Sequence, residues 1–560
     1  MLPPHRHPAA AVRDGGTGTR RLMGGLVNAL ALLIISAGVA YFLLTVGQGI
    51  KQLKRDGASL TFMTEVGFGR PFEPLDPTRA VRPGSWHLYF LVPCLNEEKV
   101  IGQTVAALRA PAGWSSTVVV VDDASDDRTA DVAVLAGHRQ VHVLRRTLPD
   151  ARSGKGAALN AGYAHVDADV RRRGLDPERV LVVVMDADGR LSDGALHEVL
   201  PLFDDPTVGG VQLGVRIRNR DSNLLARFQD HQFWALAALA QYGRVATGTV
   251  SLGGNGQFSR LTALRELGEE PWKPAALTED LDLAISLAVR GWRLTTATTA
   301  AVDQQGLEEV RPLLKQRTRW FQGQMMAGRR IPEVLRSNRL SHAGAIEMTI
   351  YLLLPWVFDL PWSILYHLVV FDLVFNWDHR SVLTGDGWLL VGQAALFYVL
   401  GYWPALVAAW LSHRRNPGYG RRLNLVLGHS FVVTNYLSFV GTWRALYRMV
   451  RGQGGWVKTA RATEVSPAGA PTTVVAGSIA HLAPRRRAVP AVVGYVGLLK
   501  LAGSGPHDGT LPAPFWPARA LATTHVQLRR RDTCLPGLAG ARAPPPRRGR
   551  RDGARPTTPV

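Results

Sequence analysis

Apolar and polar residues alternate in short blocks between about residues 85 and 335. The short apolar runs predict β-strands at 87–93, 117–121, 141–144, 180–185 and 208–215. The amphipathic stretches between them predict helices at 127–136, 156–166 and 193–203. Strands that alternate with helices favour a mostly parallel sheet covered on both faces. We therefore expect one α/β domain at 85–335.

Longer apolar segments on either side of this region predict transmembrane α-helices, because a helix needs about 20 mostly apolar residues to cross a bilayer. The segment 23–46 has that length and contains no charge. Arg20 and Arg21 before it are also typical of a signal peptide, but the run is longer than a signal peptide needs, which favours an uncleaved anchor. Three more segments, at 345–375, 388–411 and 423–446, make 345–446 a transmembrane region of about three helices.

The arginines near the last segments give conflicting information on topology. Arginine pairs lie at 414–415 and 421–422, and more basic residues follow the last segment. Cytoplasmic loops are enriched in such residues. Both ends of one span cannot be inside, so either a span is miscounted or one helix is re-entrant. We expect a multi-pass protein of the cell membrane with its α/β domain in the cytoplasm.

The formal charge of +21 is distributed unevenly. Residues 1–22 form a basic N-terminal segment, and residues 466–560 hold 14 Arg and Lys against three Asp. This second segment is rich in Pro and Arg, which predicts a disordered basic tail. No basic and aromatic binding module is visible, so the charge favours anionic lipid headgroups over nucleic acid. The two cysteines, Cys94 and Cys534, do not form a disulfide framework.

Polar residues follow several predicted strands, at the edge of the sheet where ligands of such folds gather. Asp122 and Asp123 come directly after the strand at 117–121. They suit hydrogen bonds to a base or ribose, but taken alone the motif is better explained as a turn with Asx and capping residues. Lys155, between Gly154 and Gly156, opens a predicted helix and suits an anion.

Asp186 and Asp188 end the strand at 180–185. Alternate residues of an extended segment point to the same side, so both carboxylates are expected to face one cation. With diphosphate oxygens they would form the hard oxygen shell that Mg²⁺ or Mn²⁺ prefers. A capped turn is the structural alternative.

Thr278, Glu279 and Asp280 open a helix predicted to run to about Arg290. Thr at an N-cap with acids in the first turn is ordinary helix design. The functional alternative makes Asp280 a general base for an incoming hydroxyl.

Gln316, Arg319 and Trp320 are spaced to share one face of a helix. An amide, a guanidinium and an indole are unusual for a buried core. Arg319 would hold a departing diphosphate, and Trp320 would stack on a sugar ring. The alternative is a solvated amphipathic helix with extended basic side chains.

The order and spacing of these motifs over about residues 86–461 resemble the inverting family 2 glycosyltransferases. They are most similar to the membrane-integrated processive branch, the cellulose, chitin, hyaluronan and poly-N-acetylglucosamine synthases. The resemblance implies an α/β nucleotide-sugar-binding domain of GT-A type docked on transmembrane helices. It also implies a role for each candidate residue: uracil contact for Asp122 or Asp123, nucleotide contact for Lys155, diphosphate and metal for Asp186 and Asp188, general base for Asp280, and acceptor end for Gln316, Arg319 and Trp320.

The activity implied is transfer of a sugar from a UDP-sugar to a growing β-linked polysaccharide. Gly253–Phe258 departs from the Phe-Phe-Cys-Gly type of motif in cellulose synthases. This departure leaves open a glycolipid synthase that adds one sugar to a lipid such as diacylglycerol. A third alternative is a non-catalytic membrane scaffold with a degenerate transferase domain, although every catalytic-type acid is present. The sequence does not specify the sugar or the linkage.

Overall fold

The computed structural model describes residues 15–55, 85–109, 114–137, 141–375, 387–415 and 418–454. Within them an eight-stranded sheet has the order β3-β2-β1-β4-β7-β6-β8-β5. The strands are β1 His87–Cys94, β2 Ser115–Asp122, β3 Val141–Arg145, β4 Val180–Val184, β5 Arg190–Leu191, β6 Val208–Ile217, β7 Gln257–Arg260 and β8 Arg293–Gln304. Strands β3, β2, β1 and β4 are parallel, so their carboxyl ends meet at one edge.

Helices connect these strands and continue beyond the sheet. Those of the α/β region are α2 Ile101–Arg109, α3 Thr129–Gly137, α4 Lys155–Arg173, α5 Ala195–Val199, α6 Leu224–His231, α7 Ala238–Val245, α8 Leu261–Arg265, α9 Glu279–Val289, α10 Val310–Ala327 and α11 Ile331–Arg336. The long apolar helices and their neighbours are α1 Gly15–Arg55, α12 His342–Leu354, α13 Leu360–Phe375, α14 Gly387–Arg415, α15 Arg421–His429 and α16 Phe431–Val450.

The sheet is buried on both faces. In β1, Leu88 and Phe90 belong to one apolar cluster, and Tyr89 and Leu91 belong to another on the opposite face. A strand that is buried on both faces is a continuous apolar run in the sequence, which is why the five predicted strands could be identified from it. The five predicted strands and the mostly parallel α/β fold are confirmed.

Three strands are additional to the sequence-based expectation. β7 runs antiparallel between β4 and β6, and β5 pairs antiparallel with β8 at the edge. β8, with the sequence RLTTATTAAVDQ, is rich in Thr and Ala and has no apolar run. These strands lacked the hydrophobic signal that identified the others.

Three helical segments of the described chain are long and apolar enough to cross a membrane: Gly25–Thr45, His342–Phe371 and Arg421–Val450. The second contains a π-helical turn at Pro355–Asp359. The predicted span at 388–411 lies in a helix as well, α14, which is not one of these three. The predicted basic tail at 466–560 and most of the segment 1–22 lie outside the described residues.

Both ends of the α15–α16 segment contact the α/β domain. At its start, the guanidinium of Arg227 in α6 lies 5.6 Å from the ring centroid of Tyr419. At its end, Arg448 Nε donates to Gln322 Oε1 of α10 at 2.8 Å. Both ends of this apolar segment therefore lie against the α/β domain.

Candidate active site

A cleft of about 500 Å³ opens at the carboxyl edge of the parallel strands. Seven of the nine predicted site residues line it: Asp123, Lys155, Asp186, Asp280, Gln316, Arg319 and Trp320. The other two, Asp122 and Asp188, are buried next to lining residues and are 6% and 1% exposed. Motifs separated by up to about 200 residues in sequence therefore converge on one cavity.

One end of the cleft is formed by the ends of β1 and β2. Asp123 is paired with Arg146 there. Asp122 accepts a hydrogen bond from the backbone N–H of Ser125 at 3.3 Å, which is the turn geometry expected of a structural Asp. Arg152, which was not among the predicted site residues, also lines this end. An acid and an arginine beside strand ends suit a base and a phosphate.

Lys155 begins α4 and extends into the cleft. Its Nζ lies 2.7 Å from Asp186 Oδ1 and 3.6 Å from Glu279 Oε1. Burial alone would lower the pKa of Lys155, but the charges of Asp186 and Glu279 outweigh burial and raise it. The glycine before Lys155 has φ +121°, and a Cβ on Gly156 would lie 2.9 Å from the carbonyl oxygen of Lys273. Both glycines are thus needed to bring Lys155 into this position.

Asp186 and Asp188 differ in their surroundings. The backbone N–H of Asp186 donates to Asn255 Oδ1 at 3.1 Å, and its carboxylate faces Lys155 in the cleft. The carboxylate of Asp188 accepts from the backbone N–H of Gln305 at 2.8 Å. Asp188 therefore connects the end of β4 to the segment after β8.

The described residues contain no cluster of three or more His, Cys, Asp or Glu that would hold a metal by itself. Mg²⁺ is usually bound through one or two carboxylates together with substrate phosphates. The acidic pair at the end of β4, with one carboxylate in the cleft, fits a cation whose shell is completed by a diphosphate. Asp186 and Asp188 remain the proposed ligands.

Asp280 lies in the first turn of α9, half-buried in the cleft wall. Burial, and next the charge of Glu279, raise the pKa of Asp280 to about 7 against the opposing charges of Lys155 and Arg319. Its Oδ1 accepts from the backbone N–H of Leu281 at 2.8 Å. A carboxylate with a pKa near neutrality suits a general base.

The helix α10 packs against the start of α9. Arg319 Nη1 donates to the carbonyl of Leu277 at 3.3 Å. A Cβ on Gly323 would lie 2.4 Å from Thr278 Cγ2, so only glycine permits this approach. Thr278 occupies the N-cap position, but its side chain makes no capping hydrogen bond. Thr278 therefore does not cap the helix through its side chain, although Glu279, Asp280 and Asp282 lie in the first turn, as in ordinary helix design.

The glycine-rich loop 253–256 borders the cleft beside Asp280. Gly254 has φ +74°, and a Cβ there would lie 3.1 Å from Lys155 Nζ and 3.2 Å from Asp280 Oδ2. Gln212 anchors the loop by donating to the carbonyl of Asn255 at 2.7 Å and accepting from the N–H of Gly253 at 2.7 Å. In sequence this loop is only a departure from the cellulose synthase motif, and its position beside Lys155 and Asp280 emerges from the fold.

The far end of the cleft reaches the apolar helices. Beyond Gln316 and Trp320, its lining includes Tyr351 of α12 and Thr434, Leu437 and Ser438 of α16. The segments His342–Phe371 and Arg421–Val450, to which these residues belong, are long and apolar enough to lie in a bilayer. One continuous cavity therefore joins the polar strand ends to membrane-type helices.

Residues 83–323 match the family model described as glycosyltransferase like family 2. The α/β domain is a family 2 glycosyltransferase domain. The prediction of this enzyme class from the motifs is thereby confirmed.

Relatives of the chain include a beta-monoglucosyldiacylglycerol synthase of Synechocystis sp., 34% identical over 239 residues that cover 42% of this chain and 47% of the relative. A poly-beta-1,6-N-acetyl-D-glucosamine synthase of Staphylococcus aureus is 27% identical over 236 residues, covering 42% of this chain and 53% of the relative. The chain thus matches about half the length of these relatives.

Two solved structures are similar to the chain at lower identity. One is a mannosyltransferase of Pyrobaculum calidifontis in complex with GDP-Man and Mn²⁺, at 19% identity, a TM-score of 0.45, and coverage of 69% of this chain and 97% of that chain. The other is S. aureus TarS 1–349 in complex with UDP-GlcNAc, at 13% identity, a TM-score of 0.34, and coverage of 66% and 92%.

Proposed function

We propose that this protein is an inverting hexosyltransferase that moves a sugar from a UDP-sugar to a lipid acceptor such as diacylglycerol. The observation that carries the proposal is the continuity of the cleft from Asp280 to Tyr351 and Leu437 on membrane-type helices. A lipid with its hydroxyl at Asp280 would keep its chains against those helices. The similarity to monoglucosyldiacylglycerol synthases supports the same acceptor class.

The donor would occupy the polar half of the cleft. Asp123 and Arg152 lie where the nucleotide would bind, and Lys155 and Arg319 would hold the diphosphate. Asp186 and Asp188 would hold Mg²⁺ or Mn²⁺, which supplies positive charge to the leaving diphosphate. Charges placed in advance around a leaving group lower the barrier to its departure.

In the reaction, the acceptor hydroxyl oxygen forms a bond to the anomeric carbon. The bond from that carbon to the diphosphate oxygen breaks, and UDP leaves with the electron pair. Asp280 takes the hydroxyl proton, and its raised pKa makes it an effective acceptor near neutral pH. Attack opposite the leaving group inverts the anomeric configuration.

Transfer to a growing polysaccharide is the second candidate. The resemblance to processive synthases and the poly-N-acetylglucosamine synthase relative favour it. Both candidates use the same donor site, so the acceptor decides between them.

The test is to incubate membranes containing the protein with labelled UDP-glucose or UDP-N-acetylglucosamine and diacylglycerol. We expect label in a lipid extract, as a product with one or two sugars on thin-layer chromatography. Label only in a high-molecular-weight polymer would establish the second candidate instead. Asp280→Asn is the matched control, and we expect it to lose at least about a hundredfold in rate. Full activity of that variant would contradict both candidates.

A further inference from the structure

Arg317 is a buried arginine in the wall of the cleft, on the helix that carries Gln316, Arg319 and Trp320. It is 8% exposed. Its Nη2 donates to Gln232 Oε1 at 2.6 Å, and its guanidinium carbon lies 4.3 Å from the ring centroid of Trp320 and 5.0 Å from that of Phe233. The proposed function gives this residue no role.

Among the described residues, no acid offsets the burial of the Arg317 charge. Burial alone lowers its pKa to about 9, and no acid in the described part of the chain contributes to the shift. A buried charge without an opposite charge is costly, yet the residue is still a cation at neutral pH. The contacts that compensate are two aromatic rings and one amide oxygen.

Trp320 contacts two other side chains of this cluster, Phe233 and Arg317. Phe233 meets it edge to face, with ring centroids 6.0 Å apart at an angle of 66°. Arg317 lies against the indole in a cation–π contact, the geometry in which a guanidinium covers a ring face. Gln232 and Phe233 belong to a π-helical turn, Gln232–Ala237, which interrupts the helical stretch from α6 to α7. Such turns are frequent at functional sites because they redirect side chains.

We infer that Arg317 is a positioning residue that fixes the indole of Trp320 in the orientation that receives the acceptor. An indole has two faces, and a guanidinium on one face leaves the other for an incoming ring or glycerol backbone. Gln232 accepts a hydrogen bond from the guanidinium and Phe233 packs against the indole at a steep angle, so the four side chains form one unit. The inference rests on the proposed function, because it needs Trp320 to contact the acceptor.

The test measures KM for acceptor and donor separately in Arg317→Gln, which keeps a polar side chain but removes the cation. We expect the acceptor KM to rise by about tenfold and the donor KM to change by less than about twofold. Arg317→Lys should fall between, because a lysine keeps the charge but loses the planar stacking. Arg311→Gln, an exposed arginine of the same helix, is the control and should behave like the original protein.

A double-mutant cycle separates positioning from general stability. In a Trp320→Ala background, Arg317→Gln should change the acceptor KM by less than about twofold, because the side chain it positions is gone. An undiminished effect in that background, or a larger change in donor KM than in acceptor KM, would overturn the inference. If Arg317→Gln fails to fold, Phe233→Leu provides the same test through the other contact of the indole. Failure of the proposed function itself would show differently, as full activity of Asp280→Asn.

Discussion

The ammonium of Lys155 lies 2.7 Å from the carboxylate of Asp186, across the cleft floor between the start of α4 and the end of β4. The same ammonium lies 3.6 Å from Glu279, next to Asp280. One cation thus serves the proposed diphosphate site and the proposed base. In the proposed donor complex, the phosphates would compete with Asp186 for Lys155, so we expect binding of the donor and the protonation state of Asp280 to be linked.

Replacement of this lysine should affect both halves of the reaction. Lys155→Met leaves Asp186, Glu279 and Asp280 without their shared cation, so we expect donor KM to rise by at least about tenfold. It also removes a charge that lowers the pKa of Asp280, so the pH profile should move to higher pH. Initial rates at varied donor and pH measure both effects. Lys99→Met, at an exposed position, is the control, and an unchanged pH profile in Lys155→Met would contradict the link.

The pKa of Asp280 predicts how activity depends on pH. A general base works when deprotonated, and burial with the charge of Glu279 raises the pKa of Asp280 to about 7. We therefore expect kcat/KM, which reports the pKa of the free enzyme, to fall as pH drops through about 7 and to level off above it. A kcat/KM that is flat between about pH 5.5 and 8 would exclude Asp280 as the base.

Gly254 provides a test of the glycine-rich loop. A Cβ there would meet Lys155 Nζ at 3.1 Å and Asp280 Oδ2 at 3.2 Å. We expect Gly254→Ala to lose most of its activity because those two groups must shift. Gly194→Ala is the matched control, since Gly194 has nearly the same φ, +73° against +74°, and nothing within 4 Å of its Cβ position.

Both substitutions impose the cost of a left-handed backbone on a residue with a side chain, of the order of 1 kcal/mol. Thermal unfolding should therefore move by a similar amount in the two variants. Only Gly254→Ala should lose transfer activity. Equal activities would mean that the loop does not set the positions of Lys155 and Asp280.

Much of this site followed from the sequence because polar residues came directly after apolar runs. Strands such as β2 and β4 are buried on both faces, so each is a continuous apolar run in the sequence. The first polar residues after such a run lie at the carboxyl edge of the sheet, where ligands bind. That logic located Asp123 and Asp186, whereas Lys155 was identified as a lysine between two glycines at the start of a predicted helix. It did not separate Asp186, which lines the cleft, from Asp188, which holds the backbone of Gln305.

The remaining parts of the site depend on contacts between distant segments. Gly323 matters because Thr278 packs against it, and Arg317 matters because a π-helical turn brings Gln232 and Phe233 beside it. No local sequence pattern predicts contacts between such distant segments. The Thr- and Ala-rich β8 was missed for a different reason, since a strand without an apolar run has no periodic signal.

Removal of divalent cations tests the proposed cofactor. If Asp186 and Asp188 hold a cation against the diphosphate, excess EDTA should reduce transfer by at least about tenfold, and Mg²⁺ or Mn²⁺ should restore it. Asp186→Asn should weaken the response to added cation, because it removes the carboxylate that faces the cleft. Full activity in EDTA would assign the acidic pair to positioning alone.

Glu347 joins the first apolar helix to the catalytic domain. Its carboxylate accepts from Tyr41 of α1 at 2.8 Å, pairs with Arg244 of α7 at 2.8 Å, and accepts from Thr249. The side chains of Arg244 and Glu347 are 4% and 6% exposed, so Glu347→Ala would leave a buried arginine unpaired. Loss of one partner of a buried ion pair costs about 3–5 kcal/mol, and we expect a large drop in unfolding temperature in detergent.

Tyr41→Phe removes only one hydrogen bond of this junction and should cost about 1 kcal/mol. Glu333→Gln, which breaks the more exposed pair with Arg330, should cost less than about 1 kcal/mol and is the control. If Glu347→Ala is no less stable than Glu333→Gln, the junction does not hold α1 against the catalytic domain. Tyr351, one helical turn from Glu347, lines the acceptor end of the cleft. If Glu347→Ala is less stable and also raises the acceptor KM, the packing of α1 and α12 helps to shape that end of the cleft.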